Sequence, residues 1–316
     1  MNRKKALLLT LLMSTSLFAC GTTVNSSSSA SSSTSIALTP IDVVLMGGQS
    51  NMVGCSAYSI LRNTIDASKF NEYTAGYPGI KIAYDCWTKN EDSTYAEQNS
   101  SKGKFVSSML GEGNSDLTFG MEVGIGEKLS SEGYNSKVCL IKFACGASAL
   151  SLDWTAPSSG SVSTMYTKFV EYVSQELKTL QASGYAPQIK AMLWMQGEGD
   201  AFPSISGDYL NQLNYLVKDL RKEFASYSDT SDNVGFAFID GGISDSSAWP
   251  DYKTVNMAKQ QFASLNPAKN IYIDTIANGL DKTTLQEDNA HYLAPYMLTL
   301  GHLFAEALKP FLTKVS

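Results

Sequence analysis

The sequence has few of the side chains that bind transition metals. It contains two histidines and five cysteines in 316 residues, and no two cysteines stand in a Cys-x-x-Cys arrangement. Structural zinc sites need about four such ligands at close, characteristic spacings. We therefore expect no metal ion and no other cofactor.

Basic side chains are too few for a protein that binds nucleic acid. Lys and Arg number 24 against 30 Asp and Glu, which gives a net charge of −6. Recognition of a phosphate backbone requires a basic surface. Nucleic acid is therefore not an expected partner, and the sequence leaves the oligomeric state open.

The N-terminus has the pattern of an export signal. Arg3, Lys4 and Lys5 precede an apolar stretch over residues 6–17, and a small-residue junction follows and includes Cys20. This junction resembles a bacterial lipobox, which implies cleavage before Cys20 and a diacylglycerol on its sulfur. The alternative is a plain secretory signal with a chance cysteine.

A serine-rich segment follows the signal. Residues 26–35 are small and polar, as in a flexible tether. We predict a signal peptide over 1–19, a lipidated Cys20 with its linker over 20–37, and a folded domain over 38–316. The protein would then be an exported bacterial lipoprotein of the cell envelope, in the outer membrane or at the cell surface, whose N-terminal lipid binds the membrane.

The folded part alternates short apolar runs with amphipathic stretches. The runs have the length and composition of buried strands and cover residues 41–46, 138–143, 189–195, 234–239 and 271–274. Apolar residues keep to one helical face over 165–180, 209–224 and 300–311. This alternation predicts an α/β fold, a flavodoxin-like three-layer α/β/α sandwich with a five-stranded parallel sheet.

Polar motifs stand where ligands bind in such sheets. Ser50 lies in a Gly-Gly-Gln-Ser-Asn-Met run directly after the first strand, where a hydroxyl can be exposed as a nucleophile. Asp288 and His291, three residues apart, can supply the carboxylate and the imidazole of a catalytic triad. The carboxyl ends of parallel strands share one crevice. We therefore predict Ser50, His291 and Asp288 as catalytic residues.

Two further motifs follow the second and third strands, at Gly146 and Gln196. Acyl transfer needs donors directed at a developing oxyanion. The backbone N–H groups of Ser50 and Gly146 and the carboxamide of Gln196 can supply three. For Gly146 alone, the alternative is a residue that only turns the chain.

Neighbouring polar residues allow a competing interpretation. Glu198 and Asp200 form a carboxylate pair, as in glycosidases. Because they are two residues apart on one loop, we do not expect them to flank a glycosidic bond. We predict instead that Glu198, Gln49 and Asn51 support the site, and that His302, in the last helix, lies away from it.

Taken together and in this order, the motifs resemble the sialate O-acetylesterase-like carbohydrate esterases of the SGNH (GDSL-type) hydrolase superfamily, over most of residues 38–312. The resemblance implies the SGNH hydrolase fold and a triad of Ser50, His291 and Asp288. It also implies that Gln196 takes the place of the usual oxyanion-hole asparagine. The departure is Ala147, where the family usually has glycine. The motifs are Gly48-Gln49-Ser50-Asn51-Met52, Gly146-Ala147-Ser148, Trp194-Met195-Gln196-Gly197-Glu198 and Asp288-Asn289-Ala290-His291.

The function that follows from this resemblance is that of a surface-anchored serine esterase. It would remove O-acetyl groups from carbohydrates through an acyl-enzyme, with sialic acid-type and xylan-type esters both open as substrates. The alternative is a non-catalytic glycan-binding lipoprotein on the same fold.

Residues 55–117 show no clear period and form a predicted insertion. Their aromatic side chains can contact sugar rings or form a small satellite core. Cys55 and Cys86 can form a disulfide or remain free thiols. Cys139 and Cys145 lie too far apart on one strand to pair. The aromatic residues are Tyr58, Tyr73, Tyr77, Tyr84, Trp87, Tyr95 and Phe105.

Replacement of the lipidated cysteine tests the anchor. We expect Cys20→Ala to move the protein from the membrane fraction to the soluble exported fraction, because the acyl chains can no longer be attached. Fractionation followed by a carbonate wash measures this. A variant that stays membrane-bound after the wash would show that the anchor lies elsewhere.

Overall fold

The computed structural model describes residues 37–134, 138–229 and 231–313, and within them a large central sheet organises the domain. The predicted signal peptide and nearly all of the predicted linker lie outside the described residues. The strands are β1 (Thr39–Gly48), β2 (Ser56–Ala57), β3 (Tyr77–Lys89), β4 (Tyr95–Ser100), β5 (Val106–Ser108), β6 (Thr118–Phe119), β7 (Val138–Gly146), β8 (Tyr185–Met195), β9 (Ala237–Gly241) and β10 (Asn270–Ile273).

Helices connect these strands and cover the sheet. They are α1 (Ser50–Val53), α2 (Tyr58–Thr64), α3 (Ala67–Ala75), α4 (Glu122–Ser131), α5 (Leu150–Asp153), α6 (Thr164–Ala182), α7 (Tyr209–Glu223), α8 (Tyr252–Leu265) and α9 (Ala294–Leu308). The three most regular amphipathic stretches of the sequence correspond to α6, α7 and α9. Helix α9 begins at Ala294, before the start of the predicted apolar face over 300–311, and Pro295 lies in its first turn.

All five predicted strands are present, as β1, β7, β8, β9 and β10. They run parallel in the spatial order β10-β9-β8-β1-β7. Numbered along the chain this is the flavodoxin-like order 2-1-3-4-5, and the predicted fold class is confirmed. The direction of the connections reverses at β1, so the crevice at its carboxyl end is where such a sheet binds ligands.

The prediction of five strands was too low, because the insertion extends the sheet. Strand β3 pairs in parallel with β7, and β4 and β5 pair antiparallel with β3. Strand β3 escapes detection because Lys81 and Asp85 interrupt its apolar residues and because Pro78 and Gly79 stand near its start. Its mixture of buried and partly exposed positions gives no continuous apolar run.

Helices lie on both faces of the sheet. In the sheet, the crossover from β1 leads to β7 on one side of β1, whereas the later crossovers lead to β8, β9 and β10 on the other side. Because such crossovers are right-handed, α4 covers one face and α6, α7 and α8 cover the other. Helix α9 packs against α4. No helix within the described ranges is both long enough and apolar enough to cross a membrane.

The four cysteines of the described residues are free, which is the second of the alternatives for Cys55 and Cys86. Cys86, Cys139 and Cys145 are buried, and burial raises the pKa of the Cys86 thiol to about 12. These thiols therefore act as small apolar core groups.

A buried ion pair fixes the backbone positions in the region beneath α1. The Lys142 ammonium on β7 is fully buried and lies 3.0 Å from the Glu122 carboxylate. It also donates to the carbonyl oxygens of Val53, at 3.1 Å, and Glu112, at 2.6 Å. The C-terminus of α1 is thus held against β7 by a charge that has no access to water.

Removal of this ammonium should destabilise the domain. We expect Lys142→Met to lower the free energy of unfolding by about 3–5 kcal/mol, because the Glu122 carboxylate is left buried without a cation. Urea denaturation measures the change, and Lys142→Met combined with Glu122→Gln should recover part of it. Lys282, whose side chain is 64% exposed, is the control. Lys282→Met should cost about 1 kcal/mol or less, and a similar small loss in Lys142→Met would contradict the assignment.

Candidate functional site

The turn after β1 presents Ser50 at the carboxyl end of the sheet. Gly48 has a φ of +147°, and a Cβ atom at this position would lie 2.0 Å from the carbonyl oxygen of Met195 on β8. Only glycine permits this approach. The backbone N–H of Gln49 then donates to the same oxygen at 2.9 Å. The chain turns sharply here, and α1 begins at Ser50.

Ser50 opens into a cleft of about 440 Å³ at the carboxyl ends of the strands. The insertion forms part of its wall. Of the seven aromatic residues noted in the insertion, Trp87 lines the cleft, and the others pack in or against the core. The lining residues are Gln49, Ser50, Val53, Cys55, Trp87, Thr88, Gln98, Asn114, Gly146, Ala147, Glu198, Gly199, Phe202, Trp249, Ala290 and His291.

The predicted histidine and aspartate form a hydrogen-bonded pair. Nδ1 of His291 lies 2.6 Å from Oδ2 of Asp288, and the backbone N–H groups of Ala290 and His291 donate to Oδ1 at 2.8 and 3.0 Å. Partial burial favours a higher pKa for the Asp288 carboxyl, but these hydrogen bonds outweigh it and hold the pKa below its usual value. Asp288 therefore stays ionised at neutral pH. The structure brings Ser50 and His291 into one cleft, with Asp288 bound to the histidine ring.

Gly146 lies beside the serine, as predicted. A Cβ atom built on Gly146 would be 3.8 Å from Cβ of Ser50. The next residue, Ala147, has a φ of +57°. This left-handed conformation costs a residue with a Cβ roughly 1–2 kcal/mol, which gives a physical reason for the usual glycine there.

The structure does not bring Gln196 to the cleft wall, so its predicted role as a direct oxyanion donor is wrong for this geometry. Its side chain is completely buried. The amide Nε2 donates to Oδ2 of Asp200 at 2.6 Å and to Oε1 of Gln49 at 3.2 Å, and Oε1 accepts from the Tyr209 hydroxyl at 2.9 Å. Both N–H groups of the amide therefore have protein acceptors.

Asn51 forms hydrogen bonds to two other segments of the site. Its Nδ2 donates to Oε1 of Glu198 at 2.9 Å and to the carbonyl oxygen of Ala290 at 3.1 Å, while its Oδ1 accepts the backbone N–H of Tyr292 at 3.3 Å. These bonds connect the serine motif to the loop after β8 and to the histidine turn. Asn51 and Glu198, both predicted to support the site, are thus hydrogen-bonded to each other beside Ser50.

Glu198 lies at the cleft wall and is almost completely buried. Burial raises the pKa of its carboxyl, although the hydrogen bond from Asn51 opposes this shift. Asp200 braces the same loop, because its carboxylate accepts the backbone N–H groups of Leu150 and Ser151 at 2.6 and 2.9 Å. The two carboxylates have separate structural partners, as the single-loop spacing indicated.

Sequence reasoning missed two residues that hold the Gln196 loop. Lys259 on α8 is fully buried, and its ammonium donates to the carbonyl oxygen of Gln196 at 2.6 Å, to Oδ1 of Asp240 at 2.6 Å and to the carbonyl oxygen of Gly241 at 2.8 Å. Tyr209 counted only as an apolar residue of α7. A lysine in an amphipathic helix is ordinarily solvated, so the sequence carried no signal for Lys259.

His302 lies outside the cleft lining, as predicted, and its Nε2 is 2.8 Å from a carboxylate oxygen of Glu127. In the part of the chain that the structure covers, no group of three or more histidine, cysteine or acidic side chains is placed to hold a metal ion.

A family model described as "Carbohydrate esterase, sialic acid-specific acetylesterase" matches residues 40–309, a range that contains all the motifs of the site. The chain belongs to this family. It is therefore a carbohydrate esterase, a member of the carboxylic ester hydrolases. No curated protein sequence matches the chain.

Solved structures share the fold of this esterase at low sequence identity. A protein from Arabidopsis thaliana superposes with a TM-score of 0.56 at 19% identity, over 86% of this chain and 100% of its own. NanS gives 0.55 at 15% identity, over 87% and 98%. XAC1771, a carbohydrate acetylesterase from Xanthomonas citri, gives 0.53 at 13% identity, over 85% and 56%. These similarities support the α/β fold described above.

Proposed function

We propose that this carbohydrate esterase removes O-acetyl groups from glycans by acyl transfer through Ser50. The observation that carries the proposal is that Ser50 and His291 line one cleft, while Nδ1 of the His291 ring is hydrogen-bonded to Asp288. A nucleophile, a base and a group that orients the base are the parts of a serine-hydrolase triad.

The proposed reaction has two steps. Nε2 of His291 takes the proton of the Ser50 hydroxyl as Oγ attacks the acetyl carbonyl, and the sugar hydroxyl leaves with that proton. His291 then takes a proton from a water molecule that attacks the acyl-serine. The proton passes to Oγ of Ser50, and acetate is released. Asp288 fixes the imidazole tautomer and stabilises the imidazolium in each step. The backbone N–H groups of Ser50 and Gly146 are the proposed main-chain donors to the tetrahedral oxyanion.

The charges near the cleft favour a neutral sugar over an anionic one. The acidic groups there are Glu198 in the wall and Asp288 bound to His291, and the whole chain has a net charge of −6. The carboxylate of a sialic acid approaches such groups with an unfavourable Coulomb energy. An acetylated xylose carries no charge. The rings of Trp87, Phe202 and Trp249 in the wall suit the apolar face of such a sugar.

The cell-envelope location is part of the proposal and rests on the N-terminal sequence. A lipid on Cys20 would hold the esterase at the membrane, and the serine-rich segment would let the domain reach polymeric substrate.

Substitution of the proposed triad tests the mechanism. We expect Ser50→Ala and His291→Ala each to lower kcat for p-nitrophenyl acetate by about 10³- to 10⁶-fold, because nucleophile and base act as a unit. Asp288→Asn should lose about 10⁴-fold, as the wrong histidine tautomer is then held. Unchanged thermal unfolding serves as the control for folding. A folded Ser50→Ala protein with wild-type turnover would remove Ser50 from the mechanism.

Acetylated sugars of different charge test the sugar class. We expect acetate release from acetylated xylo-oligosaccharides at a higher kcat/KM than from O-acetyl sialic acid, and faster release from the sialic acid methyl ester than from the free acid. Acetate is measured with a coupled assay, with Ser50→Ala as the blank. Preference for the free acid would contradict the neutral-sugar proposal. A folded wild-type protein that hydrolysed neither p-nitrophenyl acetate nor either sugar ester would favour the alternative, a non-catalytic glycan-binding protein.

A further inference from the structure

The side chain of Gln49, the residue before Ser50, is held only through its oxygen atom Oε1. Its Oε1 accepts three hydrogen bonds, from Nε2 of Gln196 at 3.2 Å, from the backbone N–H of Gly197 at 3.3 Å and from that of Gly199 at 3.1 Å. The side chain is almost completely buried, yet it contributes to the lining of the cleft. The loop after β8 thus clamps the oxygen of this carboxamide.

This arrangement fixes which atom of the carboxamide is oxygen. If the amide were flipped, an NH₂ group would face three N–H donors, and the three hydrogen bonds to Oε1 would be lost. Each buried group left without a partner would keep its full desolvation penalty, so the flipped orientation is strongly disfavoured. With Oε1 turned to the loop, Nε2 is turned away from it, and Nε2 has no acceptor among the described residues. Its N–H groups therefore remain free to donate within the cleft.

The close packing of the loop fixes this orientation further. A Cβ atom on Gly199 would lie 2.5 Å from the carbonyl oxygen of Ser148, so the backbone N–H of Gly199 can approach Gln49 only because no side chain stands there. Gln196 is itself held by Asp200 and Tyr209. The carboxamide of Gln49 is therefore preorganised, which is the property required of a donor that stabilises a transition state.

We propose that Nε2 of Gln49 is the side-chain donor to the oxyanion, and that Gln196 is a positioning residue that holds Gln49 in place. The inference rests on the proposed acyl transfer at Ser50. In the tetrahedral intermediate, the carbonyl oxygen gains negative charge as Oγ of Ser50 adds to the carbon. Nε2 of Gln49 then completes a set of three donors with the backbone N–H groups of Ser50 and Gly146. No proton is transferred by Gln49.

Two nearly isosteric substitutions separate the donor role from the alternatives. Gln49→Glu keeps oxygen atoms that accept from the loop but removes the N–H donor, and Gln49→Met removes the donor without adding charge. We expect both variants to lose about 10²- to 10³-fold in kcat for p-nitrophenyl acetate, with KM changed far less. A boronic acid that forms a tetrahedral adduct on Ser50 should bind both variants more weakly by a similar factor.

The pattern across the two variants decides the outcome. A Gln49→Glu enzyme with wild-type kcat would show that Gln49 acts only as an acceptor for the loop, and would overturn the proposal. A Gln49→Met enzyme with wild-type kcat would show that only the introduced charge matters, and would overturn it as well. A raised KM at unchanged kcat would reassign Gln49 to substrate binding.

Controls keep this result separate from the proposed function. Gln175, exposed on α6, receives the same two substitutions and should keep wild-type kinetics. Thermal unfolding checks that each variant is folded. If the wild type hydrolyses no ester, the proposed function fails and the inference falls with it. If the wild type is active and Ser50→Ala is not, unimpaired Gln49 variants overturn the inference alone.

Discussion

The hydrogen bonds of the Asn51 carboxamide are the constraint on which the site depends. They join the residue after Ser50 to Glu198 on the loop after β8 and to the backbone beside His291. Asn51 is 1% exposed, so water cannot replace a lost partner. A buried polar group left unpaired costs about 1–3 kcal/mol. The serine motif, the β8 loop and the histidine turn consequently share one low-energy arrangement, although they lie far apart in the chain.

The two carboxamides that flank Ser50 divide this work. Gln49 bonds to the loop after β8, whereas Asn51 bonds to the same loop and to the histidine turn. Behind them, the ammonium groups of Lys142 and Lys259 bind carbonyl oxygens at the ends of α1 and β8. Burial of these charges brings little net stability, because their desolvation is costly. Their effect is to fix the positions of backbone segments that apolar packing alone would leave less precisely defined.

The sequence was sufficient for what local patterns encode and insufficient for what only tertiary contacts decide. Apolar runs between turns predicted β1, β7, β8, β9 and β10, because parallel strands are buried on both faces. Strand β3 was missed because a strand with polar residues on a partly exposed face has no such run. The motifs placed Ser50 and His291 in one cleft. They could not show that Gln196 turns inward, since a carboxamide beside a glycine gives no sign of its direction.

The Asp288–His291 pair, to which the proposed mechanism gives the acid-base role, is more exposed than the residues that support it. The Asp288 side chain is 45% exposed and that of His291 23%, whereas Gln49, Asn51 and Gln196 are buried. A base must be neutral to accept a proton, and it needs an ionised partner to stabilise its charged form. The hydrogen bonds that hold the pKa of Asp288 low keep that partner ionised. Exposure leaves His291 open to substrate and water, so in the proposed mechanism the histidine can exchange protons while the buried groups stay fixed.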